Sequence, residues 1–349
     1  MINRAIKAVR QLWGAEDSRP LLSIVVIAYN MQREVSRTVQ TLARAYQEGS
    51  EPVDYEVVVV DNGSAEPLDL SGVGDIGVPL RVFWLRPEEA SASPARAINF
   101  GASQARGEYV AVMIDGARML SPGVVRGTRD ALALAAQPVV AVLGLHLGPG
   151  HQRQTVEQGY SKTVEDQLLA SVEWPRHGYS LFLIAAWGGS CQGGWMTLAS
   201  ESNCIVVSRR RFDELGGYDE RFVMPGGGLV NLDFYKRAVE QADSTLIYLA
   251  GEGCFHQLHG GVTTGERRRG HSFEELNEEY LALRGEDYDY PRKQPLLYGQ
   301  LRLAHVAAIS SAVSNLFEKN EQMKTVQERC APFMDSAVAT NFKNCLGDR

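Results

Sequence analysis

The chain has 349 residues, enough for one large α/β domain with an extension or for two domains, and its 44% hydrophobic and 22% charged content excludes a disordered or fibrous protein. Its net charge of -7 argues against a general affinity for nucleic acid. The five cysteines (Cys191, Cys204, Cys254, Cys330, Cys345) show no C-x-x-C or paired metal spacing, and no apolar run reaches a membrane span, so a cytoplasmic protein with free thiols is expected.

Residues 1–20 come first. Ile2, Ile6, Val9 and Trp13 recur at helical spacing with Arg4, Lys7 and Arg10 between them, and no signal-peptide cleavage pattern accompanies them. Such an amphipathic helix can dock on its own domain or on a second subunit, giving a homo-oligomer. It can also lie on an anionic membrane surface, making the protein membrane-peripheral.

A β-branched run at 22–27 breaks at Ala28-Tyr29-Asn30, a helix is expected over 35–48, and a second run, Val57-Val58-Val59-Val60, ends at Asp61-Asn62-Gly63-Ser64. Continuous runs of this kind predict parallel strands covered on both faces. A Gly-, Pro- and Asp-rich loop fills 66–79, a third strand spans 80–85, and a helix spans 93–105. The fourth strand, 109–114, ends at Asp115-Gly116-Ala117-Arg118, a helix starts at Pro122, and a fifth strand covers 139–145. Strand-helix alternation of this regularity gives a doubly wound, mostly parallel α/β sheet. Ligands of open α/β sheets bind at the carboxyl ends of the strands, which here means Ala28, Tyr29, Asn30, Asp61, Asn62 and Asp115.

After Leu145 the pattern loosens. A helical piece is expected near 164–172, a Gly-rich loop at 188–195, a strand at 203–208, and a short helix at 210–215 ending at Gly216-Gly217. Pro225-Gly226-Gly227-Gly228 forms a loop before a helix over 231–241. Trp174, Trp187 and Trp195 can stack on sugar faces or simply fill the core, with Trp195, upstream of Glu201, the best candidate for an acceptor contact. Residues 266–349 read as a helical extension, with Leu301, His305, Ala308 and Ala312 on one face of a late helix.

Several ordered motifs carry a resemblance. The run Ser23-Ile24-Val25-Val26-Ile27-Ala28-Tyr29-Asn30, the turn Val60-Asp61-Asn62-Gly63-Ser64, and Ala97-Ile98-Asn99-Phe100-Gly101 before Gly107-Glu108-Tyr109 resemble the family 2 glycosyltransferases of the GT-A fold. The segment from Arg209 through Gly216-Gly217-Tyr218-Asp219 to Phe222 is similar to that family's acceptor-side segment. The resemblance covers about 21–265, divided into a nucleotide half (21–122) and an acceptor half (123–265). It implies a transferase that moves a sugar from a nucleotide-diphosphate donor to a glycan, a lipid-linked or a small-molecule acceptor, as in polysaccharide or glycoconjugate synthesis.

Two positions depart from the family pattern. Asp115 matches the first acid of the metal motif, but Ala117 stands where the second belongs. A hard cation on a diphosphate wants oxygen ligands, so metal dependence is expected to be weak or absent, with Arg118 stabilising the leaving diphosphate instead. The alternative is Mn or Mg held by Asp115 and His259, the better placed histidine of Cys254-Phe255-His256-Gln257-Leu258-His259. The expected base position, counted back from Arg237, is Asn231, which cannot accept a proton at neutral pH. Asp233 is then the expected base, with Glu201 a second choice. Inversion is the expected course, and retention is the alternative that needs no protein base. Two other readings stand beside transfer: a catalytically silent GT-A domain that binds a nucleotide sugar or glycan for a partner, and a nucleotidyltransferase, which lacks its Lys-bearing phosphate loop here.

Overall fold

Val57, Val58, Val59 and Val60 are all fully buried, and that fact sets the architecture. A strand with no exposed face must have helices on both sides. In the computed structural model, which describes residues 20–259 and 272–319, this strand is β2 (Tyr55–Asn62). It pairs in parallel with β1 (Leu22–Ala28) on one side and β3 (Leu80–Leu85) on the other, and β1 pairs in parallel with β4 (Tyr109–Met113). Helix α1 (Gln32–Thr41) and helix α3 (Val124–Leu132) cover the Ile24 and Val26 face, while helix α2 (Ala95–Gln104) covers the Val25 and Ile27 face. The crossovers from β1 run outward through β2 to β3, and the chain then returns to β4. The gap between the carboxyl ends of β1 and β4 is therefore a topological switch point.

Four more strands complete the eight-stranded sheet: β6 (Pro138–Val142), β9 (Cys204–Ser208), β10 (Thr245–Ala250) and β12 (Leu296–Gly299), in the order β12-β10-β6-β9-β4-β1-β2-β3. Within it β9 alone runs antiparallel to its neighbours, β4 and β6. The fold class expected from the sequence is the one observed.

A second, four-stranded sheet was not expected. The run read as one strand over 139–145 divides at Leu143: β6 stays in the large sheet, and β7 (Gly144–Leu147) turns into a small sheet with β5 (Arg118–Leu120), β8 (Ala185–Trp187) and β11 (Cys254–His256). Strands of three or four residues leave almost no periodic signal. Its register sets His256 opposite Arg118 on one side and His146 on the other.

Other expectations need adjustment. Helix α1 ends at Thr41 rather than reaching 48, because Gln47 Nε2 donates to the Thr41 carbonyl at 2.7 Å and Tyr55 OH to the Leu42 carbonyl at 2.8 Å. Carbonyls captured in this way close a helix. Two short helices, α4 (Gln152–Glu157) and α5 (Lys162–Ser171), follow β7, then α6 (Arg209–Glu214) and α7 (Val230–Val239). The described part of 266–349 is not purely helical: between α8 (Phe273–Arg284) and α9 (Val306–Lys319) lies β12, paired in parallel with β10. His305, Ala308 and Ala312 are buried as expected, but Leu301 is exposed. The amphipathic helix over 1–20 lies almost wholly outside the described residues, as do Cys330 and Cys345; Cys191, Cys204 and Cys254 are free and buried. No helix among the described residues is long and apolar enough to cross a membrane.

Helix α2 lies so close to the sheet that a Cβ on Gly101 would sit 2.5 Å from Val25 Cγ1 and 3.0 Å from Val60 Cγ2. Gly101→Ala is expected to lose about 1–3 kcal/mol through overpacking, outweighing alanine's better helix propensity. Denaturant unfolding checks this; equal or higher stability in the variant would contradict the packing described.

Candidate functional site

The polypeptide leaves β4 through Asp115-Gly116. A Cβ on Gly116 would meet the Ile27 carbonyl at 2.9 Å and Val35 Cγ2 at 2.8 Å, so only glycine lets the end of β4 lie against the end of β1. Thr38 Oγ1 donates to the Gly116 carbonyl at 2.6 Å and the Gln257 N–H to the Ala117 carbonyl at 2.8 Å. Asp115 is thereby fixed at the switch point, its Oδ1 accepting from the Ala117 N–H at 2.9 Å. Its Oδ2 faces His256 Nε2 at 3.0 Å, His259 Nε2 at 3.4 Å and Arg118 Nε at 3.9 Å.

His259 is held in place from its own backbone. The preceding Leu258 donates its N–H to Glu165 at 2.6 Å and accepts at its carbonyl from Arg33 at 3.0 Å. His256 comes from β11. The ligand atoms of Asp115, His256 and His259 lie within 4.8 Å of one another, close enough to share one metal ion. Burial opposes charge on Asp115, but the charge of His259 more than offsets it, and the carboxyl is held well below its usual range. Burial, then the charge of Arg118, pushes His256 down to about 4, so that imidazole is neutral at pH 7. Burial also opposes charge on His259, yet Asp115 outweighs it and raises this imidazole.

The sequence pointed to Asp115 and His259 and passed over His256 as a ligand. Its signal was the alternation of Cys254, Phe255 and His256, which places Phe255 in one apolar core and turns its neighbours the other way. Ala117, where a second acid was sought, is fully buried in the aliphatic cluster that includes Val35 and Met113. Arg118 is largely buried, and its Nε has no hydrogen-bond partner.

At the other strand ends the expected donor-binding residues divide into two kinds. Asp61 is wholly buried, and its carboxylate accepts from the backbone N–H groups of Ser64 (3.0 Å) and Leu68 (3.2 Å). It organises the loop and offers nothing to solvent. Ala28 is buried as well, whereas Tyr29 is 54% exposed and Asn30 takes a left-handed backbone (φ 52°), its N–H donating to Ser64 Oγ at 2.7 Å. Asn62 donates through Nδ2 to the Ser91 carbonyl at 2.8 Å, while its buried Oδ1 has no partner.

On the acceptor side the structure corrects two expectations. Asp233, the expected base, is fully buried, with its oxygens accepting from Arg237 Nε (2.8 Å) and from Arg284 Nε (2.6 Å) and Nη2 (2.9 Å). A carboxylate clamped between two guanidiniums is not placed to take a proton from an acceptor. Trp195 is also interior: it packs edge-on against Trp187 with centroids 5.0 Å apart, near Phe182 and His305. Trp174 and Trp187 are buried too. Asn231 donates through Nδ2 to Glu201 Oε2 at 2.7 Å and to the Ser202 carbonyl at 3.1 Å, and accepts at Oδ1 from Tyr218 OH at 3.2 Å. The position expected to carry the base therefore touches a half-buried carboxylate from another segment.

The family described as "Glycosyltransferase like family 2" matches residues 23–248, well over half of the chain, and the chain belongs to that family. Among curated relatives, an uncharacterised protein of Sinorhizobium fredii is 30% identical over 223 residues, covering 60% of this chain and 22% of the relative. The validoxylamine A glucosyltransferase of Streptomyces hygroscopicus subsp. limoneus is 34% identical over 136 residues, 39% of this chain and 26% of the relative. The chain thus spans about a quarter of the length of these relatives. Two solved structures show a distant likeness. S. aureus TarS in complex with UDP has 13% identity and a TM-score of 0.45, covering 75% of this chain and 70% of that one. The mannosyltransferase PcManGT of Pyrobaculum calidifontis, with GDP-Man and Mn2+, has 13% identity and a TM-score of 0.43, with 98% and 90% covered.

Asp233→Ala strips a fully buried partner from two arginines. It is expected to lower stability by roughly 3 kcal/mol, the low end for breaking a buried ion pair because Arg237 and Arg284 keep some access to water. Chemical denaturation measures this directly, and an unchanged midpoint would show that the clamp contributes nothing.

Proposed function

We propose that the chain transfers a sugar from a nucleoside diphosphate donor to a hydroxyl-bearing glycan, lipid or small-molecule acceptor, with a divalent metal at Asp115, His256 and His259. The gathering of those three side chains and Arg118 at the end of β4 carries this reading. One carboxylate and two imidazoles form a softer ligand set than an all-oxygen one and favour Mn over Mg. When bound, such an ion neutralises charge on the departing diphosphate.

The other roles belong to the chain itself. Arg118, with an unpartnered Nε beside Asp115, offers a permanent positive charge to the same phosphate oxygens. Tyr29 presents an exposed ring to the nucleoside at the end of β1, and Asn62, its Nδ2 given to the Ser91 carbonyl, shapes the turn beside it. Glu201 serves as base in place of Asp233. Asn231 holds one of its oxygens, and the other can accept the proton of the acceptor hydroxyl as that oxygen attacks the anomeric carbon with inversion. Asn231 on its own would favour a domain that binds a nucleotide sugar without transferring it, and that reading predicts donor binding with no turnover under any condition.

The test combines a panel of nucleotide sugars, with and without Mn2+, with single variants. Asp115→Asn should reduce donor affinity at least tenfold, about 1.4 kcal/mol. Glu201→Gln should lower kcat at least a hundredfold while donor affinity stays within twofold, since general-base catalysis contributes on the order of 10²–10⁴. Arg118→Ala should lower kcat more than donor affinity, because leaving-group charge grows in the transition state. Full turnover in the presence of a chelator would reject the metal centre. Normal turnover of Glu201→Gln would reject the base.

A further inference from the structure

Gln152, the first residue of α4, is fully buried and reaches two histidines at once. Its Nε2 donates to the carbonyls of His256 (2.9 Å) and Leu147 (3.2 Å). Those acceptors determine the amide's orientation, because the reversed amide would set its oxygen against two carbonyls. Oε1 is then the atom 2.6 Å from His256 Nδ1, so Nδ1 carries the proton and donates it. In a neutral imidazole this leaves Nε2 with a lone pair, 3.0 Å from the carboxylate oxygen of Asp115. Two acceptors face each other at hydrogen-bond distance, with His259 Nε2 3.1 Å from the imidazole nitrogen and 3.4 Å from the carboxylate, so the arrangement is stabilised by a proton donated from His259 or by a cation that takes its place.

The backbone of the same residue acts on a second ring. The Gln152 N–H donates to His146 Nδ1 at 3.0 Å, so this neutral imidazole carries its proton on Nε2. No hydrogen bond to that Nε2 occurs among the described residues, and a Cβ on Gly188 would lie 3.5 Å from it. The two rings are neighbours, with centroids 5.3 Å apart, and hold opposite tautomers.

We propose that Gln152 is the positioning residue of the metal centre: its side chain makes His256 a ligand by holding the proton on Nδ1, and its backbone makes the adjacent His146 a hydrogen-bond donor. The inference rests on the metal centre proposed above. Partners of this kind orient a metal-bound histidine and raise its basicity, and losing one typically costs 10–100-fold in affinity.

The test uses the full chain labelled with 15N-histidine and free of metal. Long-range 1H–15N spectra should show His256 protonated on Nδ1 and His146 on Nε2. Gln152→Leu should leave His256 as a mixture of tautomers, keep His146 unchanged, and weaken Mn2+ binding at least tenfold by calorimetry. Wild-type His256 protonated on Nε2, or Mn2+ affinity in Gln152→Leu within twofold of wild type, would overturn the proposal. Should Gln152→Leu fail to fold, the wild-type spectrum decides. Absence of Mn2+ binding by the wild type would reject the metal centre itself, and the spectra would still judge the tautomers separately.

Discussion

The site depends on one close approach, that of Gly116 to the end of β1. With no room for a Cβ between the Ile27 carbonyl and Val35, the chain can pass there only as glycine, and it does so with the carbonyls of Gly116 and Ala117 pinned. Asp115 is thus placed at the switch point, and the residues after Gly116 are diverted out of the large sheet into β5. Pairing of β5 with β11 then sets Arg118 beside His256, and pairing of β11 with β7 sets His256 beside His146. One steric constraint and two strand pairings bring together groups from four segments of the chain.

The described C-terminal part, 272–319, packs against the half of the domain expected to take the acceptor. Arg284 of α8 bonds to Asp233 and pairs with Asp219, Glu279 accepts from the N–H groups of Val223 and Met224, and Tyr288 OH donates to the Ser200 carbonyl. Trp187 donates its indole N–H to the Ala308 carbonyl at 2.7 Å, which seats α9 on the small sheet. These contacts explain why Asp233 and Trp187 are interior. The aromatic and charged residues that looked available for a ligand along the sequence are taken up by a segment that arrives later in the chain.

The parts that were legible in the sequence share a physical cause. Val57 to Val60 can only be a strand buried on both faces, so β1, β2 and β4, the helices that cover them and the ligand-facing turns after them follow from local pattern. Asp115 was legible for the same reason, as the residue where a buried run stops. The small sheet was not, because its strands are three or four residues long and their partners are distant. His256 and Gln152 were hidden with it: the two residues lie 104 positions apart, and nothing local to either indicates the other. Asp233 misled because a helix first-turn acid looks the same in sequence whether it faces a cleft or an arginine contributed by another helix.

The two missing acids of the family pattern then find a common explanation in burial. Ala117 sits in a closed aliphatic cluster, where an unpaired carboxylate would carry a large desolvation cost, so in the proposed metal centre the third ligand comes from a neighbouring strand. The adjacent strand is β11, and its register supplies His256. At the acceptor end Asn231 is likewise enclosed, its amide bonded to Tyr218, Ser202 and Glu201. A carboxylate at 231 would set two acids against each other, with one forced to hold a proton or move away. An amide instead donates a hydrogen bond to Glu201. In both places the residue at the position of the missing acid is enclosed, and a spatial neighbour presents the polar group: His256 beside Asp115, and Glu201 beside Asn231.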